Sequence, residues 1–442
     1  MSARALAMLA RRGACPGLSA PMPTGDGLLV RLHPIGSIPL VAFAELCRGA
    51  RRYGNGVIEI TSRGSIQVRG LRNETAPQFA ADIAALDIAA DDGVPVLCDP
   101  LAGINADEIF DSAALAAELR RVLADAALAK KLSAKVSVAV DGGGAVGLAK
   151  LPADIRLTAD RDNGDSSLHI ALGGDEAGAS LVGVVATSDA VIATTQLLRV
   201  LAKRGPDARA RDIVASEGVR PFRFAVTDLL IPTHSCESGN LGAGPRFRVG
   251  ERSGQDVVGT HHLRDGSLAC GIGLAFGHSD ATALERLIDI ADAAGARGFR
   301  AAPDRALMII GLTPRPVSAF VAGAEQLGFV VRAGDPRRNV VACAGAPICA
   351  SAHIAARALA PRVADQVAPY RGDAFTVHIS GCAKGCAHAA PAALTVVGMP
   401  DGCALVADGS VRDAVFALVT SNELPEAIAR FARERKREEA HG

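Results

Sequence analysis

The chain has 442 residues, with 47 Lys and Arg against 47 Asp and Glu, 49% hydrophobic residues, 3% aromatics and no Trp. That is a globular chain large enough for more than one domain. Zero net charge excludes a long-range pull toward nucleic acid or an anionic membrane, and so few aromatics give no stacking platform for single strands. No apolar run reaches the length of a membrane span. Residues 1–12 look like a short basic leader, but their apolar part is too short for a signal peptide. Ten cysteines in so long a chain suit a reducing cytoplasm and a metal centre better than a disulfide framework.

Taken in order, the pattern predicts a strand (Leu28 to His33), a helix (Ser37 to Tyr53) with Ser37 as N-cap and Gly54 as its stop, and two strands (Val57 to Thr61, Ser65 to Leu71). A helix follows over Ala76 to Ala90. The same order returns later: strand Leu268 to Ala275, helix Ser279 to Ala294 stopped by Gly295, strands Phe299 to Ala302 and Ala306 to Leu312, helix Pro316 to Leu327. Gly36 with Gly277, Gly54 with Gly295, and Gly70-Leu71 with Gly311-Leu312 repeat at one spacing, which reads as a tandem duplication. Beyond these units, Val96-Leu97-Cys98-Asp99 parallels Val340-Val341-Ala342-Cys343. The alternating runs Val136 to Gly142 and Thr376 to Gly381 parallel each other too. Each copy closes on a helix, Ala190 to Arg204 and Glu423 to Arg433. The first copy has Gly142-Gly143-Gly144 where the second has Cys382. Residues 205–265, rich in Gly, Pro, Arg and Ser, read as an ordered functional connection.

Two motifs carry chemistry. Cys343-x5-Cys349 and Cys382-x3-Cys386, set among Gly, Ala and Pro, bring four soft thiolates within reach of one metal centre. Zinc sites favour two short knuckles, so the longer first loop favours an iron–sulfur cluster while leaving zinc open. Cys15, Cys47, Cys98, Cys236, Cys270 and Cys403 read mostly as small core residues. In the second motif, alternation puts Arg63, Ser65, Gln67 and Arg69 on one strand face and Ile66 and Val68 on the other. Taken alone, such a row is usually a solvated face. Here the corresponding positions of the second copy, Ala306, Met308 and Ile310, are apolar, which points to a clamp for a ligand with several carboxylates. Lys135 and Lys384 are further candidate cations, and Arg31, Arg220 and Arg223 weaker ones. His353, His378 and His388 flank the cysteine loops and read as core or hydrogen-bonding histidines.

The four-cysteine pattern at the C-terminal end of a duplicated chain resembles the sirohaem-dependent sulfite and nitrite reductases, over nearly the whole chain. Residues 12–28 and the string His378-Ile-Ser-Gly-Cys-Ala-Lys-Gly-Cys-Ala-His388 resemble, within that superfamily, the precorrin-3B synthase family of aerobic cobalamin biosynthesis. The resemblance implies an α+β fold of two pseudo-symmetric halves. Each half is a ferredoxin-like unit (1–90 and 266–330) followed by a larger reductase-type α/β unit (91–205, and 331–442 with the cluster), with 206–265 between the halves. It implies a [4Fe–4S] cluster on Cys343, Cys349, Cys382 and Cys386, and tetrapyrrole carboxylates held by Arg63, Gln67, Arg69 and Lys135. Arg63 stands at a sirohaem-binding arginine of the reductases, and Lys135 at the first of their Lys-x-Lys pair. Ser137 replaces the second lysine, and Cys382-Ala-Lys-Gly-Cys386 departs from their Cys-Pro-Asn-x-Cys. Both changes turn the reading toward an enzyme that modifies a tetrapyrrole.

The implied reaction is oxygen-dependent hydroxylation of precorrin-3A at C20 with closure of a γ-lactone. It needs O2 and an electron donor, with Lys384 as a candidate for holding an oxygen-derived anion or a carboxylate. A further iron is one way to activate oxygen. The rival readings are an assimilatory sulfite or nitrite reductase carrying sirohaem, and a non-catalytic protein that binds a cluster or a tetrapyrrole.

Overall fold

A computed structural model describes residues 16–86, 88–90, 93–160, 167–232, 255–369, 375–388 and 390–441. Cys15, Cys236, the leader-like residues 1–12 and much of the connection after 232 lie outside them.

The first unit opens with β1 (Met22–Thr24), β2 (Gly27–Leu32) and β3 (Ile38–Pro39), then α1 (Leu40–Tyr53), β4 (Val57–Ile60), β5 (Ile66–Leu71) and α2 (Ala76–Ala84). Helix α1 forms because Ala42, Phe43, Leu46, Cys47 and Ala50 recur at helical spacing and bury one stripe. Arg51 and Arg52 sit in its last turn, and Gly54 caps it. The expected cap Ser37 is not used. Pro39 stands at the N-cap position with no side-chain bond, because the residues before the helix are drawn into a strand instead. Helix α2 is also shorter than the apolar pattern suggested, ending at Ala84.

The first α/β unit contains β6 (Val96–Cys98), α3 (Ser112–Leu123), β7 (Val138–Asp141), β8 (Ala153–Ala159), β9 (Ser167–Gly174), β10 (Ser180–Ala186) and α4 (Ala190–Arg204). Two short helices, Ala210–Glu217 and Arg220–Ala225, follow. The second half repeats the first: β11 (Gly259–His262), β12 (Leu268–Gly273), β13 (His278–Asp280), α5 (Ala281–Ala293), β14 (Gly298–Ala302), β15 (Ala306–Leu312) and α6 (Val317–Gln326). Its α/β unit holds β16 (Val340–Ala342), α7 (Ala356–Val367), β17 (Val377–Ser380), β18 (Ala392–Met399), β19 (Gly402–Gly409), β20 (Ala417–Val419) and α8 (Leu424–His441).

The duplication is visible in the topology. The two α/β sheets run β6-β7-β8-β9-β10 and β16-β17-β18-β19-β20, each with two parallel pairings followed by two antiparallel ones. The other two sheets run β1-β2-β5-β4-β13 and β11-β12-β15-β14-β3, so each contains one strand from the opposite half. Strand β13 pairs with β4 (Ser279 opposite Ile58) and β3 with β14 (Phe299 opposite Ile38). The helices of both halves share one core, in which Phe43 stacks on Phe299 with ring centroids 4.7 Å apart. This exchange has no signal in the strand periodicity, because β3 and β13 are only two and three residues long.

The central strands β5 and β15 of the ferredoxin-like sheets turn one face to that shared core and the other to an α/β unit. On β5, Ile66 and Val68 face the core, whereas Gln67 and Arg69 are buried on the opposite face. On β15, Leu307 and Ile309 face the core, while Ala306, Met308 and Ile310 pack with Leu101 and Val146 from the loops after β6 and β7. The pairing is crossed. The first sheet meets the second α/β unit through Ala350 N–H to Gly25 O (2.8 Å) and Arg357 to Glu59 (2.9 Å). The second sheet meets the first α/β unit through Arg300 to Pro100 O (3.0 Å).

Candidate functional site

The four cysteines lie on the two loops that leave the C-terminal ends of the neighbouring parallel strands β16 and β17, where such loops converge beyond the sheet edge. The backbone is folded tightly around them. Gly381 N–H donates to Cys343 Sγ (3.0 Å) and Cys349 N–H to Gly345 O (2.8 Å). Two glycines make room for sulfur. A Cβ on Gly381 would lie 3.3 Å from Cys343 Sγ, and one on Gly25 would collide with Cys349 Sγ. Burial pushes the Cys343 thiol up, and neighbouring Cys382 and Cys349 push it further. Burial and then Cys343 do the same to Cys386, against the opposing pull of Arg69. Thiolates gathered this closely are stabilised by positive charge at their centre.

Among the described residues, no three His, Cys, Asp or Glu side chains stand close enough to hold one metal ion. Four thiolates on two neighbouring loops are a donor set of the kind that holds an iron–sulfur cluster.

Beside the thiols stands a buried polar network on the first sheet. Arg69 forks onto Asp26 (Nε to Oδ2 2.8 Å, Nη2 to Oδ1 2.7 Å) and also reaches Glu59 (3.3 Å). Glu59 in turn takes Arg357 from α7 (2.9 Å). With its amide turned to satisfy both neighbours, Gln67 donates to Glu59 Oε2 (2.9 Å) and accepts from Arg31 Nε (2.8 Å). The Asp26 and Arg69 side chains are 1% and 8% exposed. Burial alone would raise the Asp26 carboxyl, yet the Arg69 fork outweighs it and holds the group below the usual carboxylate range. Burial likewise works against the Arg69 charge, and the two carboxylates more than restore it. Arg69 and Arg357 thus meet two carboxylates on the sheet face that looks at the cysteine loops, with Arg31 joined to them through Gln67.

The strand row is divided rather than continuous. Gln67 and Arg69 join this network. Arg63 lies ahead of β5 in a turn, where its guanidinium reaches Ser137 Oγ (3.2 Å) and Pro152 O (3.0 Å) in the first α/β unit. Ser65 bonds His33 Nδ1 (3.0 Å). Lys135 is exposed two residues before Ser137. Lys384 is exposed, and its ammonium donates to Ser351 Oγ (2.9 Å) across the mouth of the two cysteine loops. His353 is exposed. His378 and His388 meet edge to face behind the loops (centroids 5.7 Å), with Arg305 beside His388 (3.4 Å). Burial, aided by His388 and Arg305, lowers the His378 imidazole to about 3. Asp26, Glu59 and Arg357 were not singled out from sequence. Each is an isolated charge in the chain, and nothing local says that they converge.

The first half lacks this chemistry at matching positions. Strand β6 corresponds to β16 and α3 to α7, 12 residues each, so Asp99 matches Cys343, Asn105 matches Cys349 and Gly143 matches Cys382. The sheet face opposite is the apolar packing of Met308 and Ile310 against Leu101 and Val146. One face of the duplication is a polar crevice with thiols, whereas in the other Met308 and Ile310 pack against Leu101 and Val146.

Residues 20–86 match the family model for the nitrite/sulfite reductase ferredoxin-like half domain. A precorrin-3B synthase of Sinorhizobium sp is 38% identical over 424 residues, 96% of this chain and 88% of that protein. The ferredoxin–nitrite reductase of Synechococcus elongatus is 22% identical over 82% of this chain and 74% of its own. Among solved structures, the Mycobacterium tuberculosis NirA protein superposes with a TM-score of 0.70 at 21% identity, covering 93% of this chain and 83% of that one, which shows a shared fold.

Proposed function

The chain belongs to the precorrin-3B synthase family, within the nitrite/sulfite reductase superfamily, and on that premise we propose how its crevice serves the reaction. The enzyme is an oxidoreductase of the monooxygenase type acting on a tetrapyrrole in cobalamin biosynthesis. In the proposed reaction, precorrin-3A takes one oxygen atom from O2 at C20 and a ring acetate closes a γ-lactone. The second oxygen atom leaves as water, with two electrons and two protons from an external donor. The observation that carries this reading is the near-full-length similarity to a precorrin-3B synthase, joined to guanidinium groups beside four thiols.

A [4Fe–4S] cluster on Cys343, Cys349, Cys382 and Cys386 would supply electrons one at a time when bound. The chain's own residues do the rest. Arg69, Gln67, Arg31 and Arg357 offer the donors that suit carboxylate side arms of a macrocycle, and Asp26 and Glu59 hold those donors in place until substrate arrives. We assign Arg63, whose guanidinium reaches the first α/β unit, and the exposed Lys135 to the outer carboxylates of a large substrate. Fixing several carboxylates at once dictates which meso carbon faces the cysteine loops. Lys384, tied to Ser351 at their mouth, is placed to hold a carboxylate or an oxygen-derived anion. No described helix is long and apolar enough to cross a membrane, and we assign the enzyme to the cytoplasm, where the thiols stay reduced.

The test is anaerobic purification, an absorption spectrum, and then addition of precorrin-3A, reductant and air. A product heavier by one oxygen atom is expected. A strong haem-like band in the isolated protein, with sulfite or nitrite turnover instead, would replace the proposal by the reductase reading. An intact cluster without any turnover would leave a binding protein.

A further inference from the structure

The polar residues beside the cysteines belong to a row that crosses the first sheet. Arg31 on β2 stands opposite Gln67 on β5, Gln67 opposite Glu59 on β4, and Glu59 opposite His278 on β13. Directly opposed residues of antiparallel strands point their side chains to the same face, so all four share the face that looks at the cysteine loops. The next residue, Ser279, lies opposite Ile58 of the shared core, which fixes the sense of the alternation. Arg31 Nε donates to Gln67 (2.8 Å) and Gln67 to Glu59 Oε2 (2.9 Å), joining three members of the row. The fourth, His278, arrives from the other half of the chain on the exchanged strand. Strands lie about 4.8 Å apart, so the row spans roughly 14 Å, the scale of a macrocycle with its side arms.

His278 is half-buried, and its buried Nδ1 has no hydrogen-bond partner among the described residues. Arg357 lies near enough for its charge to act on the imidazole, and the Nε of Arg357 is likewise buried without a partner. The other arm of that guanidinium holds Glu59 (2.9 Å), which is engaged by Gln67 and Arg69 as well. Burial first, then the Arg357 charge, lowers the imidazole to about 4 against the pull of the Phe276 carbonyl. Two unpaired polar nitrogens at one end of a bonded row are costly unless a ligand pairs them. In the second sheet the corresponding places hold Ser37, Arg300 and Met308, and Met308 packs against the first α/β unit. The imidazole therefore occurs only on the side that carries the thiols.

We propose that His278 is a substrate-contact residue, whose imidazole pairs with a side-arm carboxyl oxygen of the tetrapyrrole at the end of the row opposite Arg31. The Nε–H of Arg357 is the second donor to that side arm. This inference rests on the tetrapyrrole reading given above and adds a residue to it. An imidazole can give one hydrogen bond and take one, which suits a carboxyl oxygen in either protonation state. The role is binding and orientation, and no bond of the substrate is made or broken by it. Arg31, Gln67 and Arg69 belong to the first half and His278 to the second, so the binding face is complete only after β13 has joined the first sheet.

The test is anaerobic titration of the full, cluster-loaded chain with precorrin-3A, without air or reductant, read by the change in absorption. His278→Leu fills similar space but cannot hydrogen-bond, and should weaken Kd about tenfold, the worth of one hydrogen bond to a charged group. His278→Asn sets an amide nitrogen close to where Nδ1 stands and should return Kd to within about threefold of wild type. Iron content and the thermal unfolding midpoint should match wild type in both variants. If wild type binds and His278→Leu binds equally well, the inference is overturned and the tetrapyrrole reading stands. Equal weakening in both variants, or weakening accompanied by lost iron or a lowered midpoint, marks a packing role and overturns the inference too. A wild type that binds no precorrin-3A overturns the tetrapyrrole reading, and this inference falls with it.

Discussion

Replacing Asp26 by Asn tests whether the arginine network beside the cysteines is held for substrate or merely for the fold. The Asp26 side chain is 1% exposed and grips Arg69 through two bonds of 2.8 and 2.7 Å. Asparagine keeps the shape and removes the charge, leaving an 8% exposed guanidinium with Glu59 at 3.3 Å as its remaining counter-ion. Breaking a buried pair from one side costs 3–5 kcal/mol; the retained Glu59 contact argues for the lower end, about 3 kcal/mol. Urea unfolding at pH 7, followed by far-UV circular dichroism, should show that loss. The pH dependence has a defined sign. The folded Asp26 carboxyl lies below its unfolded value near 3.9, so its stabilisation is present above about pH 4 and fades as pH falls through the folded value. The gap between wild type and Asp26→Asn should therefore narrow on acidification. Tetrapyrrole affinity should hold or rise in Asp26→Asn, because Arg69 is released, and should fall at least tenfold in Arg69→Met. A stability change under 1 kcal/mol, or equal losses of affinity in both variants, would refute the reasoning.

Each of Cys343→Ala, Cys349→Ala, Cys382→Ala and Cys386→Ala should abolish the broad iron–sulfur absorption and bound iron, whereas Cys47→Ala, at a fully buried core position, should keep both. Gly25→Ala should mimic a cysteine variant in iron content although it adds one methyl group, because that methyl collides with Cys349 Sγ. His378, with a folded value of about 3 against ~6.5 unfolded, must stay neutral in the folded state. Stability should therefore drop by up to ~1.4 kcal/mol per pH unit between pH 6.5 and the folded value, and His378→Leu should flatten that slope in acid-unfolding curves. Met308→Ala, in the apolar filling of the first half, should cost about 2–4 kcal/mol in urea unfolding without changing iron content.

Helices such as Ala190–Arg204 and strands such as Ala306–Leu312 were legible because their apolar spacing is long and regular. The repeat was legible because glycines that need positive φ, Gly36 with Gly277 and Gly70 with Gly311, recur in register. The alternation on β5 correctly separated Ile66 and Val68 from Gln67 and Arg69. It did not reveal that Arg63 leaves the strand, since a turn at Gly64 breaks the alternation without breaking its residue pattern. Asp26, Glu59 and Arg357 escaped notice because their meeting is made by the crossed docking of one half's sheet on the other half's α/β unit. That contact spans 298 residues between Glu59 and Arg357, and no local pattern encodes it.

The reciprocal exchange of β3 and β13 also sets a clock for biosynthesis. Strand β4 cannot gain its outer neighbour until residue 280 has left the ribosome, about 220 residues after β4 itself was made. At 5–20 residues per second this interval is roughly 10–45 s. For that time the nascent first half carries an open strand edge, a template for pairing with another chain. Slowing translation between residues 60 and 280 should therefore lower the soluble yield, and a chaperone that covers strand edges should restore it.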